Sequence, residues 1–220
     1  MIQITDKSQC CGCTACASIC AHDAITMQPD TLGFLYPVVD KDKCVDCGLC
    51  EKVCAFNDHY DTSLNLPKPD AYAVRHKDIT KLRYSRSGAA FVAFSDYILS
   101  KGGVIYGAGY KGHFVVVHKR ATTKEERDAF RGSKYVQSDM TGVFRNVKND
   151  LKAGKLVLFS GTPCQTAGLK SYIDNRLSQN LILIDIICHS VPAPQIWKDY
   201  LAYVAVSYTH LRAHETELHL

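Results

Sequence analysis

The sequence predicts a small, cysteine-rich α+β domain followed by an α/β domain with a mixed sheet and flanking helices. Near the N-terminus, cysteines form two runs of four with the same spacing. A polar segment containing Pro67 and Pro69 follows, which is typical of a linker. Beyond it, short apolar runs alternate with helix-like segments, which indicates an α/β layer with some parallel pairing. We assign the small domain to residues 1–57, the linker to 58–69, the α/β domain to 70–205 and a separate tail to 206–220.

The composition is that of an ordinary globular protein. Of 220 residues, 46% are hydrophobic and 22% are charged. No apolar run approaches the roughly 20 residues of a membrane helix, and no basic segment followed by an apolar stretch begins the chain. We therefore expect a cytoplasmic protein without a membrane span. Lysine and arginine are scattered, with no basic run interleaved with aromatics, so we expect no nucleic-acid partner.

The cysteine spacing carries the strongest chemical signal. Each run follows C-x2-C-x2-C-x3-C, the bacterial ferredoxin pattern for 4Fe–4S clusters. Zinc sites usually show two C-x2-C pairs separated by a longer stretch, so zinc is the weaker alternative. The sequence therefore predicts a ferredoxin-like domain with two 4Fe–4S clusters. Two such clusters, each of charge about −2 with its thiolates, would bring the formal charge of +4 close to zero.

The ligands of the two clusters are expected to cross between the runs. A loop with a cysteine at every third position wraps three irons, and the fourth cysteine is expected to start a helix that leads to the other cluster. Alanine follows each fourth cysteine where proline is usual, at Ala21 and Ala55. Cys11 falls outside the ligand spacing, and we expect it to be a spare thiol packed near a cluster. The first cysteine set is then Cys10, Cys13, Cys16 and Cys54, and the second cysteine set is Cys20, Cys44, Cys47 and Cys50.

The secondary-structure pattern differs between the two domains. In the small domain, strands are predicted at 24–27 and 33–39. Predicted strands of the α/β domain are 71–74, 104–107, 114–118, 156–159 and 181–187, with the last two buried. Predicted helices are 88–100 with Ser87 as N-cap, a short one capped by Thr122 or Thr123, 139–152, one from Cys164 or Gln165, and one from Pro194.

Two cysteines follow the buried strands of the α/β domain. Cys164 comes after 156–159, and Cys188 comes after 181–187. Ligands of such sheets bind beyond the carboxyl ends of the strands. Residues 161–165 also open a helix, whose N–H groups favour a phosphate or pyrophosphate. The alternative is a tight strand-to-helix turn with a buried cysteine, because free cysteine is often only a small core residue.

Several motifs of the chain resemble one family. The motifs are RSGAAF at 86–91, GGVIYG at 102–107, RGSKYVQS at 131–138, FSGTPCQ at 159–165 and CH at 188–189, followed by VP at 191–192 and WKDY at 197–200. Together they resemble the beta subunit of coenzyme F-420 hydrogenases and dehydrogenases, over about residues 9–205. Two positions depart from the family pattern, since Ala89 and Ser190 stand where the family has glycine.

The resemblance implies a flavin, usually FAD, in the α/β domain. The flavin would exchange electrons between a two-electron donor or acceptor and the clusters, because it accepts hydride and releases single electrons. Lys134 would meet a phosphate or a reduced flavin anion. Cys188 and His189 could be catalytic, cluster-ligating or merely packed. The implied cofactor-binding residues are Ser87, Gly88, Gly132, Ser133, Lys134, Gly161, Thr162 and Cys164, and the implied catalytic residues are Cys164, Cys188 and His189.

The sequence thus predicts an iron–sulfur flavoprotein oxidoreductase, or a fragment of one. Its expected partners are a redox protein or enzyme subunit and a small-molecule electron donor or acceptor. The alternative is a non-catalytic 4Fe–4S electron carrier whose α/β domain docks on a partner enzyme.

The tail at 206–220 has a different origin in this interpretation. It resembles the translation of a sequencing adapter, and the family resemblance stops where it begins. We therefore expect an incomplete α/β domain that lacks part of the flavin and substrate site. His210 and His214 in the tail, with Glu215 and Glu217, imitate a metal-site pattern, and we expect no metal there.

Overall fold

The computed structural model describes residues 1–58, 60–63, 65–112 and 114–207, without the side chains of 205–207. The histidines and glutamates of the tail lie outside the described residues. No helix in the described part of the chain is long and apolar enough to cross a membrane.

The cysteine-rich part is built around a β-hairpin and two short helices. Asp30 turns the hairpin, since its carboxylate accepts the N–H groups of Leu32 and Phe34, both at 3.0 Å. The antiparallel pairing joins Ile25 to Val39, which confirms the predicted pair of strands. The elements are a 3-10 turn at Lys7–Gln9, α1 at Ala15–Ile19, β1 at Ile25–Pro29, β2 at Leu35–Val39 and α2 at Leu49–Lys52.

The two short helices do not begin where the sequence predicted. Helix α1 contains Cys16 and ends before Cys20, and α2 contains Cys50. The fourth cysteine of each run therefore follows a helix instead of starting one. Thr14 and Gly48, the N-caps, have positive φ values of 70° and 73°, and this left-handed turn is what carries each loop into its helix early.

A four-stranded mixed sheet organises the rest of the chain. Its strand order is β4-β3-β5-β6, with β3 antiparallel to β4 and parallel to β5, and with β5 parallel to β6. The predicted mixed sheet with flanking helices is confirmed. The elements are α3 at Ile79–Arg83, α4 at Ala90–Ser100, β3 at Val104–Lys111, β4 at Val115–Ala121, α5 at Lys124–Asp128, α6 at Val143–Lys152, β5 at Val157–Gly161, α7 at Pro163–Tyr172, β6 at Leu181–Asp185 and α8 at Pro194–Ser207.

The two strands predicted as buried differ in the structure. Strand β5 lies between β3 and β6, and Val157, Leu158 and Phe159 are all 0% exposed. Strand β6 pairs only with β5 among the described residues, and Ile182 in it is 40% exposed. The prediction of a second buried strand was therefore wrong, because an apolar run alone cannot distinguish a central strand from an edge strand.

One predicted strand and two predicted helix starts were also wrong. Residues 71–74 form no strand, although their backbone packs closely on Gly88, where an added Cβ would lie 2.0 Å from the Val74 carbonyl oxygen. Helix α4 begins at Ala90 with Ala89 as N-cap at a φ of 59°, so Ser87 is not its cap. Helix α6 begins only after Gly142, later than predicted. The short helix capped by Thr123 is confirmed, with a full capping box.

One apolar core joins the cysteine-rich part to the sheet. It is continuous from the helices that carry Cys16 and Cys50 to the residues of β3, β5 and α6. Burial of this shared surface is the main stabilising term for the arrangement. Its members include Ile2, Ile25 and Val53 from the first part, and Val104, Tyr106, Phe144, Phe159 and Leu169 from the second.

A buried arginine holds α5 against α4. Arg127 is 1% exposed, and its guanidinium donates to Asp96 Oδ1 at 2.8 Å and to Asp128 Oδ1 at 2.8 Å. It also donates to the carbonyl of Val92 at 3.1 Å and to the hydroxyl of Ser95. A charge this deeply buried is tolerable only because each of the three guanidinium nitrogens finds an acceptor.

We expect Arg127→Met to lower the free energy of unfolding by ~3–5 kcal/mol, because it leaves carboxylate and hydroxyl groups without their buried donor. Denaturant titrations followed by circular dichroism under anaerobic conditions measure the loss. Arg83→Met in the exposed last turn of α3 is the matched control, with an expected change below about 0.5 kcal/mol. Equal changes in the two variants would contradict the role given to Arg127.

Candidate functional site

The second cysteine set lines one open cavity. Cys20, Cys44, Cys47 and Cys50 surround it together with apolar residues of the hairpin, including Ile25. Backbone N–H groups point at two of the sulfurs, because Ile2 N–H donates to Cys50 Sγ at 3.3 Å and Ala24 N–H donates to Cys20 Sγ at 3.4 Å. Cys50 is buried and Cys47 is exposed, so the cavity reaches from the core to the surface.

The first cysteine set is gathered in a more buried place. Burial raises the pKa of the Cys16 thiol to about 12, and part of the rise comes from three neighbouring cysteines. Those neighbours are Cys10, Cys13 and Cys54. A thiol buried beside other thiols, as Cys16 is, resists ionisation unless positive charge compensates it. Iron supplies that charge in a 4Fe–4S cluster, so the donor set fits such a group.

Neither set is arranged around a single ion. Among the residues that the structure describes, no three His, Cys, Asp or Glu side chains converge on one metal position. A cubane cluster does not require such convergence, since each of its four thiolates binds a different iron.

The carboxyl edge of the sheet carries several of the residues predicted to bind a cofactor. Strands β3, β5 and β6 run parallel, so their carboxyl ends meet at one edge. Gly161 ends β5, and Thr162 begins a capping box with Gln165, whose Oε1 accepts the Thr162 N–H at 3.1 Å. The Cys164 Sγ lies 3.1 Å from the Thr162 hydroxyl in the first turn of α7.

A buried histidine, which the sequence did not predict, lies behind this edge. His118 in β4 contacts Ser138 Oγ through Nδ1 at 2.7 Å and the Ser160 carbonyl through Nε2 at 3.0 Å. A carbonyl can only accept, so Nε2 carries the proton and Nδ1 accepts from the serine hydroxyl. The Ser138 oxygen in turn accepts from Gln165 Nε2 at 2.9 Å. Burial lowers the pKa of His118 to about 4, so the ring is neutral.

The alternation of β4 was the available signal for His118. Val116, His118 and the strand end at Ala121 are buried, while Val115 and Lys119 are exposed. Val116 and His118 share one face because side chains alternate along a strand. The period-2 pattern could therefore have placed His118 inside, but nothing in the sequence identified Ser138 or Gln165 as its partners.

Lys134 lies on the same side of the sheet and is engaged with its own loop. Its ammonium donates to the carbonyls of Ala129 at 3.1 Å and Arg131 at 3.0 Å, and lies 5.8 Å from the centre of the Tyr110 ring near the end of β3. Burial lowers its pKa to about 8. Gly132 and Ser133 next to it are exposed.

The remaining predicted site residues are not brought to this edge by any described contact. Ser87 is exposed, and Gly88 packs on the Val74 backbone. Cys188 and His189 are exposed in the irregular segment after β6. The structure thus groups Gly161, Thr162 and Cys164, and it leaves the other predicted residues in separate places.

Comparison with known families bears on the cysteine-rich part. Residues 9–57 match the family of 4Fe–4S dicluster domains. The match supports an iron–sulfur, ferredoxin-like module with a role in electron transfer, and we refer to residues 9–57 as the iron–sulfur module. A comparison with curated proteins found no match to the chain.

The iron–sulfur module contacts the α/β sheet mainly through its first cysteine loop. A Cβ added to Gly168 in α7 would lie 2.8 Å from Cys13 Sγ, so glycine is what allows this close approach. The Cys11 carbonyl accepts from Gln137 Nε2 at 2.8 Å. The neighbouring Cys11 thiol and the Thr162 hydroxyl lower the pKa of Cys164 below its usual value.

Arg145 from α6 secures the other side of the same loop. Its guanidinium donates to the Ser18 carbonyl at 3.0 Å, to the Ala17 carbonyl at 3.2 Å and to the Cys20 carbonyl at 3.0 Å. These carbonyls end α1 and would otherwise have no partner within the helix. The positive charge at the helix C-terminus is also favourable for the helix dipole.

We expect Gly168→Ala to disturb the first cysteine set, because the new methyl group would overlap Cys13 and push a sulfur out of place. Overpacking of this kind typically costs ~1–3 kcal/mol. Iron analysis and electron paramagnetic resonance of the anaerobically purified chain should show loss or broadening of one cluster signal. Ser171→Ala in the same helix is the matched control. Wild-type iron content and spectra in Gly168→Ala would rule out the tight contact.

Stability should fall as the pH is lowered from about 6.5 towards 4, because the unfolded chain protonates His118 at its usual pKa of about 6.5 whereas the folded chain does so only near 4. At pH 5.5 the expected loss relative to pH 7.5 is about 1 kcal/mol. Comparing denaturation midpoints at the two pH values measures it. His118→Asn should remove this part of the pH dependence, and His189→Gln at an exposed position should keep it. An unchanged pH dependence in His118→Asn would contradict the assignment.

Proposed function

We propose that the chain transfers electrons through two 4Fe–4S clusters, between the carboxyl edge of its α/β sheet and a partner protein. In this proposal the first cysteine set holds one cluster and the second cysteine set holds the other. The dicluster-domain match supports the clusters, and the grouping of the cysteines supports their division. A bound 4Fe–4S cluster supplies one-electron redox chemistry.

The position of the first cysteine loop is the observation that carries the proposed path. Cys13 packs on Gly168 in α7, and the Cys11 carbonyl accepts from Gln137 Nε2 at 2.8 Å. The first set therefore lies beside α7, the helix that begins at the carboxyl edge of the sheet. The second set opens to the surface at Cys47. Electrons would then pass from the sheet edge to the first cluster, to the second cluster, and on to a redox partner, or in the reverse direction.

The two sets differ in exposure to water more than in hydrogen bonding, because backbone N–H groups also donate to Cys10, Cys13 and Cys16 of the first set. The N–H groups of Ile2 and Ala24 donate to sulfurs of the second set, at 3.3 Å and 3.4 Å. Such bonds stabilise the more negative, reduced form and raise a cluster potential, as does exposure to water. Cys47 in the second set is exposed, whereas all four cysteines of the first set are at least partly buried. We therefore assign the higher potential to the second cluster, which favours electron flow outwards.

A flavin at the sheet edge is a second candidate, which would make the chain an iron–sulfur flavoprotein oxidoreductase. The first turn of α7 at the carboxyl ends of parallel strands favours it, because N–H groups there suit a pyrophosphate. The residues predicted to form its cradle fit less well. The Val74 backbone occupies the space beside Gly88, and the Phe159 ring and Gln165 occupy the space beside Gly161. The Lys134 ammonium donates to carbonyls of its own loop. We derive no flavin step from this arrangement.

Cofactor analysis of the anaerobically purified chain tests the main proposal. We expect a brown protein with about eight irons per chain. A colourless protein loaded with zinc would overturn the proposal. Yellow flavin released on denaturation would favour the oxidoreductase, and its absence from an eight-iron protein would favour the electron carrier.

Paired serine variants test the crossed ligand sets. Cys54→Ser should alter the same paramagnetic signal as Cys16→Ser, although the two residues lie in different runs. Cys20→Ser should likewise match Cys50→Ser. Cys188→Ser is the control and should keep about eight irons, since Cys188 belongs to neither set. If Cys54→Ser instead matches Cys50→Ser, each cluster draws its ligands from one run, and the crossed division is wrong.

A further inference from the structure

Cys20 stands where the iron–sulfur module meets α6. It belongs to the second cysteine set and is the C-cap of α1. It lines the cavity of that set and also a polar cavity of about 340 Å³ beside α6, which we call the α6 cavity. A charge fixed at the wall of the α6 cavity therefore stands close to a member of the second cysteine set.

The charged residues that line the α6 cavity are mostly basic. Arg145, Lys148 and Lys152 come from α6, and Asp23 is the acidic residue of the lining. The Lys148 ammonium lies 4.0 Å from Asp174 Oδ2, and Lys152 is exposed about two turns along the helix from Arg145. Neither lysine has a described hydrogen bond to the end of α1, so Arg145 is the cation to consider for an effect on Cys20.

Arg145 is fixed relative to Cys20 by several hydrogen bonds. Its Nη2 donates to the Cys20 carbonyl at 3.0 Å and to Asp23 Oδ1 at 2.6 Å, and its Nε donates to the Ser18 carbonyl at 3.0 Å. The planar fork of a guanidinium holds such bonds in one orientation, whereas a lysine ammonium on its flexible stem is free to turn away. The positive charge therefore has a defined position beside Cys20.

Helix α6 is itself anchored to the sheet beyond Arg145. Asp150 in α6 is buried, and its carboxylate accepts from the Tyr106 hydroxyl in β3 at 2.7 Å. It also accepts from Arg120 in β4, with Nε at 2.7 Å and Nη2 at 2.9 Å. Phe144, next to Arg145, is fully buried in the shared core. The α/β sheet thus determines where the charge of Arg145 stands.

We propose that Arg145 is a positioning residue whose charge raises the reduction potential of the second cluster. The inference rests on the proposed pair of 4Fe–4S clusters. Reduction adds one electron to a cluster that already carries about −2 with its thiolates, and a fixed positive charge nearby stabilises the added negative charge. Asp23 opposes the effect, because its carboxylate is held on the same guanidinium.

This role makes the redox chemistry of the module depend on the α/β part of the chain. A raised potential at the second cluster favours electron flow from the first cluster outwards. Because Arg145 comes from α6, its contribution is present only when the module is seated on the sheet.

Redox titrations of the full, cluster-loaded chain, followed by electron paramagnetic resonance, test the inference. Low ionic strength is needed, because both charged side chains are partly exposed and salt screens them. The signal to follow is the one that Cys20→Ser alters. In that signal, Arg145→Met should lower the midpoint potential and Asp23→Asn should raise it, while both variants keep about eight irons. Lys152→Met, the matched control, removes a charge from the same helix and should shift the midpoint less than Arg145→Met.

The opposite signs separate an effect of charge from an effect of structure, since mere loosening of the α1 end would not move the two variants in opposite directions. If Arg145→Met loses iron, Asp23→Asn still decides, because its side chain is 73% exposed and the α1 carbonyls keep their donor. An unmoved midpoint in an eight-iron Asp23→Asn, or equal shifts in Arg145→Met and Lys152→Met, would overturn the inference and leave the clusters standing. Fewer than about eight irons in wild type would instead refute the proposed function itself.

Discussion

The close contact between Cys13 and Gly168 fixes how the iron–sulfur module sits on the α/β sheet. Any side chain at position 168 would have to occupy the space of the Cys13 side chain, so this close approach requires glycine. This contact places the first cysteine set against the middle of α7, the helix that begins at the carboxyl edge of the sheet. The order of the electron path proposed above depends on it.

Arg145 and the shared core hold that contact in place. The arginine gathers the carbonyls at the end of α1 from one side, and apolar residues of both parts close the other side. The hydrogen bonds of Arg145 are specific in direction, because the donors of a guanidinium form a rigid, planar fork. The apolar core contributes most of the stability, and the arginine determines how the helix is oriented on it. The two parts therefore share one apolar core, although the sequence predicts two domains and a linker.

The sequence was most informative where a chemical rule determines the spacing of residues along the chain. The two cysteine runs, the hairpin of β1 and β2, and the capping box at Thr123 all follow from local patterns. The edge position of β6 was not predictable, because burial of an apolar run depends on which strands surround it. The early start of α1 and α2 depends on positive φ at Thr14 and Gly48. Glycine often adopts positive φ, so Gly48 was a signal in the sequence, whereas Thr14 was not. The contacts of Cys11 with Gln137, and of His118 with Ser138, join residues far apart in sequence, and no local pattern predicts them.

The shared core has a consequence for how the protein is made in the cell. Cys16 and Cys50 are core residues as well as members of the two cysteine sets, so insertion of iron and closure of the core are not separate events. The free energy of metal binding then becomes part of the free energy of folding. In a newly synthesised chain without iron, the α/β sheet would pack against an incompletely folded iron–sulfur module, and the chain would remain susceptible to proteolysis. The cellular level of the whole polypeptide, including the α/β part that touches no iron, would follow the iron supply.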